Sequence, residues 1–200
     1  MTSRLPGIVL LAVLWFSAGT AQSFYQEYSA RAGYFSPYKG LNNGFIFGAD
    51  GSFILPDYRI VLRFSGDCYV KQTVDLFEEP KPQVVKQQIL LVPIAVGVSY
   101  QMVQPTGAGL RVSVGIQGGY YVDFYEVDYR DVLRLSPLPV YGNGSQTGGN
   151  FFYGIVARIG TANFFLEPKI LLARPHQDDV SSYRYGIDPS GFMVTVGFEY

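Results

Sequence analysis

The sequence is poor in several things. It has one cysteine, Cys68, which excludes an internal disulfide. Charged residues make up only 16% of the 200 positions, and the net charge is −1, so no basic patch marks a nucleic-acid partner. Amphipathic helical periodicity is hard to find. Beyond the first residues no apolar run can cross a bilayer as a helix. The longest, Ile89 to Val98 (ILLVPIAVGV), has half the ~20 residues required and is interrupted by Pro93 and Gly97.

What is abundant is apolar and aromatic. Apolar residues are 48% of the chain, with 16 Tyr, 15 Phe and 23 Gly. That balance favours an all-β protein. The first 21 residues form a leader: Arg4 supplies a positive start, Ile8 to Phe16 an apolar core, and Gly19 and Ala21 small residues suited to cleavage after Ala21. The expectation is a signal peptide over 1–21 and one exported domain over 22–200.

Period-2 alternation recurs in the rest of the chain, in segments of roughly ten residues. Eight strands are expected: Tyr28 to Phe35, Gly44 to Phe53, one starting at Tyr58, Gln88 to Tyr100, Gly109 to Phe124, Asn150 to Gly160, Phe164 to Ala173, and a last one ending at Tyr200. The connections after strands two, four and six are short, and those after three, five and seven are long. Pro93 and Pro168 fall inside strands, where the missing N–H predicts a local bulge at each.

Each strand has an apolar face free of charge. Arg31, Asp50, Arg59, Arg63, Asp67, Arg111, Asp123, Arg158, Glu167, Lys169 and Glu199 all fall on the opposite faces, together with many glycines. A soluble lipocalin-like barrel also alternates but buries its apolar face. Small residues beside Arg and Glu suit instead the cramped interior of a narrow barrel with lipid outside. Tyr58, Tyr100, Tyr120, Phe124, Phe164 and Tyr200 stand near strand ends on the apolar faces, where aromatic rings suit a water–lipid boundary. Cys68 falls on an apolar face too.

The terminal stretch MVTVGFEY places Val194, Val196, Phe198 and Tyr200 on one face. With the leader and the alternating strands, it resembles the small outer-membrane β-barrel family of the OmpA/OmpX type. The resemblance implies an eight-stranded antiparallel up-and-down transmembrane β-barrel in a Gram-negative-type outer membrane. It implies lipid and lipopolysaccharide as surroundings. It also implies a C-terminal insertion signal, made by Val194, Val196, Phe198 and Tyr200, that the barrel-insertion machinery reads. It names no activity.

Site chemistry is sparse. His176 with Asp178, Asp179, Ser181 and Ser182 offers a hydrolase-like set, yet such residues fill polar loops for turn reasons. Asp178, Asp179 and Asp188 lack a spaced calcium-loop pattern. Asn143 begins a sequon that in this context is a turn. No cofactor, metal site or catalytic group is expected. The inward charges Arg31, Asp50, Arg59, Arg63, Arg111, Asp123, Arg158, Glu167, Lys169 and Glu199 are expected to pair as a barrel-interior network, since unpaired charge there is costly. The segments around Cys68 to Phe77 and Gln83 to Leu91 alternate beyond the length needed to cross a membrane, as does Phe124 to Leu135, so a projecting hairpin is expected. The function expected is non-enzymatic: an envelope or adhesion-like surface role, with a surface partner met through external loops. A narrow porin-like channel and a lipid-modifying enzyme are the alternatives.

Overall fold

A computed structural model describes residues 25–38, 41–77, 83–103, 109–131, 144–161, 163–174 and 188–200. Residues 1–21, Asn143, and His176 with Asp178, Asp179, Ser181 and Ser182 lie outside them. The described chain is almost wholly strand: β1 (Tyr25–Pro37), β2 (Gly44–Leu55), β3 (Ile60–Phe77), β4 (Gln83–Val103), β5 (Arg111–Asp131), β6 (Gly144–Gly160), β7 (Phe164–Ala173) and β8 (Gly191–Glu199). Each pairs antiparallel with the next, and β8 pairs with β1, closing a barrel.

The closure is staggered. Stepping across the ladders from Tyr25 leads through Ile54, Val61, Ser99, Gly115, Val156, Lys169 and Met193 to Phe35, ten residues along the starting strand. Such a shear tilts eight strands by roughly 45° and leaves an interior that side chains fill.

The side-chain pattern is inverted relative to a soluble barrel. Phe47, Phe64, Ile94, Val96, Ile116, Phe151, Tyr153, Ile155 and Val196 are exposed on the outside. Inside, the barrel is divided. Its short-turn half holds buried charge. Its other half holds an apolar plug of Phe35, Ile46, Tyr69, Leu91, Tyr121, Phe152, Leu171 and Met193. Leu41 in the β1–β2 connection joins this plug. The Tyr69 hydroxyl donates to the Asn42 carbonyl and the Tyr121 hydroxyl to the Arg174 carbonyl (2.7 Å), fastening two connections to the barrel mouth.

Neither proline makes a bulge. Around Pro93 the β3–β4 ladder runs from Gly66↔Ile94 to Tyr69↔Leu91, and around Pro168 the β6–β7 ladder from Val156↔Lys169 to Ile159↔Leu166, each without a change of register. A strand residue directs its N–H to one neighbour only, so the missing donor interrupts one ladder and leaves the other, Pro93↔Tyr121 or Pro168↔Val194, continuous. The register shift falls elsewhere, between Gln101 and Val103.

The expected long connection after strand three is also corrected. β3 and β4 continue as paired strand to Phe77↔Gln83, so only residues 78–82 link them.

Inward glycines make room for the interior. A Cβ on Gly48 would overlap the Asp67 carboxylate, and one on Gly197 the Phe165 ring. Gly197→Val is therefore expected to cost about 1–3 kcal/mol of overpacking. The check is unfolding by urea against Gly118→Val, because Gly118 points outward with only Phe152 O, 3.7 Å away, near its would-be Cβ. Equal stability of the two variants would contradict a crowded interior.

Candidate functional site

The candidate site is the charged interior. Strand alternation aims Arg31 of β1, Asp50 of β2, Arg63 and Asp67 of β3, Arg158 of β6, Glu167 and Lys169 of β7 and Glu199 of β8 at the axis, all buried. Glu167 is the hub. Its Oε2 accepts from Arg158 Nε (2.6 Å) and Arg63 Nη1 (3.2 Å), while its Oε1 faces Lys169 Nζ at 2.9 Å and Arg31 Nε at 3.8 Å.

Asp50 is a second centre. Arg31 Nη1 donates to its Oδ2, as does Arg158 Nη2 at 2.7 Å. Asp67 accepts from Arg31 Nε at 2.9 Å, with Lys169 at 3.6 Å. Arg158 Nη1 donates to Glu199 (2.7 Å), and its guanidinium lies 3.8 Å over the Phe165 ring. Arg31, Arg63, Arg158 and Lys169 thus face Asp50, Asp67, Glu167 and Glu199, four charges of each sign. Such balance is what dry burial requires, because removing one member strands the others.

Other expected members sit apart. Arg111 is half-buried at the short-turn rim, where it donates to Glu27 (2.7 Å) and stands 3.6 Å from Glu199. Asp123 is fully buried higher up, opposite Leu91 and Gly148 in the ladders. Arg59, expected inside, is outside. It follows the Pro56–Tyr58 3-10 turn in a left-handed conformation (φ 57°) and is exposed. The tight turn takes Arg59 out of the strand alternation that would have aimed it inward.

Glu27 and the apolar plug are absent from the sequence-based expectation. The signal for the plug is the unbroken run at Ile89 to Ile94, where both faces of the strand are apolar. Val194, Val196, Phe198 and Tyr200 lie on the outer face. Tyr200 exchanges backbone hydrogen bonds with Tyr28 (3.0 and 3.1 Å). Among the described residues, no group of three or more His, Cys, Asp and Glu is placed to hold a metal ion.

No family model and no curated protein matches the sequence. Solved structures match the fold. Ail, the attachment invasion locus protein of Yersinia pestis, in complex with the heparin analogue sucrose octasulfate, superposes with a TM-score of 0.54 at 9% identity, over 88% of this chain and 97% of that one. Ail in a phospholipid bilayer nanodisc gives 0.50 at 13% identity, over 88% and 100%. A major outer membrane protein from Thermus thermophilus gives 0.51 at 14% identity, over 88% and 100%. On stagger, strand order and these superpositions, the chain has the fold of the small eight-stranded outer-membrane β-barrels, matching the OmpA/OmpX-type resemblance of its last strand.

Proposed function

We propose that the chain is an integral outer-membrane protein, exported by cleavage of a leader after Ala21, whose plugged barrel anchors a surface-binding sheet and performs no catalysis. The membrane part rests on the apolar exterior. β7 and β8, of 10 and 9 residues, match the ~9–11 residues of a membrane strand. Tyr58, Tyr100, Tyr200 and Phe164 are exposed at the short-turn end, and Tyr120 and Phe124 towards the other. Lipid and lipopolysaccharide are the surroundings this surface suits. The alternating outer face ending at Tyr200 is what the insertion machinery would read. Four opposed charge pairs below an apolar plug favour a seal over a conducting channel.

One observation carries the binding role: β3, β4, β5 and β6 are neighbours and far outrun the other four strands, at 18, 21, 21 and 17 residues against 13, 12, 10 and 9. Their outer faces turn polar at Gln72, Gln88, Glu126 and Thr147, which marks where they leave the apolar belt. A four-stranded sheet therefore stands clear of the barrel.

Ail is described with a heparin analogue. Here Val70 to Gln88 and Tyr125 to Gln146 carry five basic and six acidic residues, so the projecting sheet has no footprint for a polyanion. A protein partner fits its mixed charge better. Replacing Thr73 to Lys86 by an Asn-Gly turn is expected to leave heat-modifiable gel migration unchanged and to abolish attachment of expressing bacteria to serum-coated glass. Undiminished attachment would refute the binding role.

A further inference from the structure

Between the charged network and the short-turn end lies a polar cavity. It has room for two or three water-sized groups, about 30 Å³. On one side it meets Arg63 and Arg158 of the network. On the other it is bounded by Glu27, Arg111 and Thr161, all at least partly exposed. The cavity is therefore reached from the short-turn end, while the apolar plug closes the opposite half of the barrel.

Two of its lining side chains are polar and without a protein partner. Gln101 of β4 and Ser113 of β5 face each other across one ladder, and Ser113 faces Arg158 across the next. Both are more than nine-tenths buried. Among the described residues neither side chain makes a hydrogen bond. An amide and a hydroxyl withdrawn from bulk water call for a partner in the space they line.

Arg63 adds a charged donor. Its Nε donates to Ser52 (3.3 Å) and its Nη1 to Glu167 (3.2 Å), which leaves Nη2 without a partner among the described residues. Arg63 is also the least neutralised of the interior arginines. Its nearest carboxylate oxygen lies at 3.2 Å, whereas Arg31 has one at 2.7 Å and Arg158 has three at 2.7 Å or less. The carboxylates at the cavity are already engaged, Glu27 by Arg111 and Glu199 by Arg158, both at 2.7 Å. What is left over is donor capacity beside a positive charge, and its complement is an anionic acceptor.

We propose that this cavity binds a small carboxylate from the short-turn side, with the carboxylate oxygens accepting from Arg63 Nη2, Gln101 and Ser113. Size selects the class. Formate has three non-hydrogen atoms and fits room for two or three water-sized groups, whereas tetrahedral phosphate or sulfate, with five, exceeds it. Ile54, Val61 and Phe165 also wall the space, and apolar surroundings strengthen a hydrogen bond to a charged group.

The test uses the full chain in phosphatidylcholine nanodiscs and carbon-13 formate, whose NMR line width reports binding. The line is expected to broaden saturably, and to sharpen on addition of unlabelled formate but not of phosphate at equal ionic strength. Q101L and S113A are each expected to weaken binding about tenfold, the worth of one hydrogen bond to a charged group. Ser65→Ala removes an equally buried hydroxyl that does not line the cavity, and is expected to leave binding unchanged. Heat-modifiable migration verifies that each variant is folded. No saturable broadening, equal displacement by phosphate, undiminished binding in Q101L and S113A, or an equal loss in Ser65→Ala would overturn the proposal. The comparison of formate with phosphate on the unaltered protein stands without the variants.

Discussion

Glu167→Ala is expected to destabilise the barrel by about 3–5 kcal/mol. The reason is charge balance in a dry space. Glu167 has no exposed surface and faces Arg31, Arg63, Arg158 and Lys169. Removing it leaves four buried cations against Asp50, Asp67 and Glu199. Urea titration of the refolded protein in lipid vesicles, followed by heat-modifiable migration, gives the number. Adding Lys169→Met restores three charges of each sign and is expected to recover much of the loss, since a balanced or apolar interior tolerates burial. A single-variant loss below about 1 kcal/mol, or no recovery in the double variant, would show that the charges are not held as one dry network.

Val96→Arg is expected to cost about 2–4 kcal/mol in the same assay, and Gln88→Arg only about 0–1. Both side chains point outward from β4 and both are exposed, Val96 at 54%. They differ in depth. Val96 lies between Phe64 and Gly118 in the ladders, within the apolar band, whereas Gln88 lies where the outer face turns polar. In water the two substitutions would be equally harmless. Equal costs would therefore remove the bilayer from the account and favour a water-soluble barrel.

Much of the fold is legible in the residues, because period-2 alternation is a geometric fact about strands. The outer faces of all eight strands, the position of β7 and the inward aim of Arg31, Asp50, Arg63, Arg158, Glu167, Lys169 and Glu199 follow from it directly. Arg59 is misplaced by the same rule, because alternation continues on paper through a turn, whereas the Pro56–Tyr58 turn breaks it in space. The bulges expected at Pro93 and Pro168 fail for a related reason. A missing donor affects one neighbouring strand and leaves the count of residues intact, so the register need not shift. The apolar plug is hidden by the assumption that the inner face is polar over its whole height. Phe35, Ile46, Leu91, Phe152 and Met193 occupy inward positions in the half of the barrel away from the short turns. Strand ends are the least legible of all, since nothing in the alternation of Val70 to Phe77 says whether a ninth strand lies beside it.

The pairing of Tyr28 with Tyr200 has a consequence for synthesis. The partner of β1 is β8, some 170 residues further along the chain. The cylinder cannot close until β8 has been made. Until then β1 and β8 each present an unpaired border. Contacts so distant along the chain form slowly, so this topology leaves its two borders open to wrong partners for longer than a hairpin does.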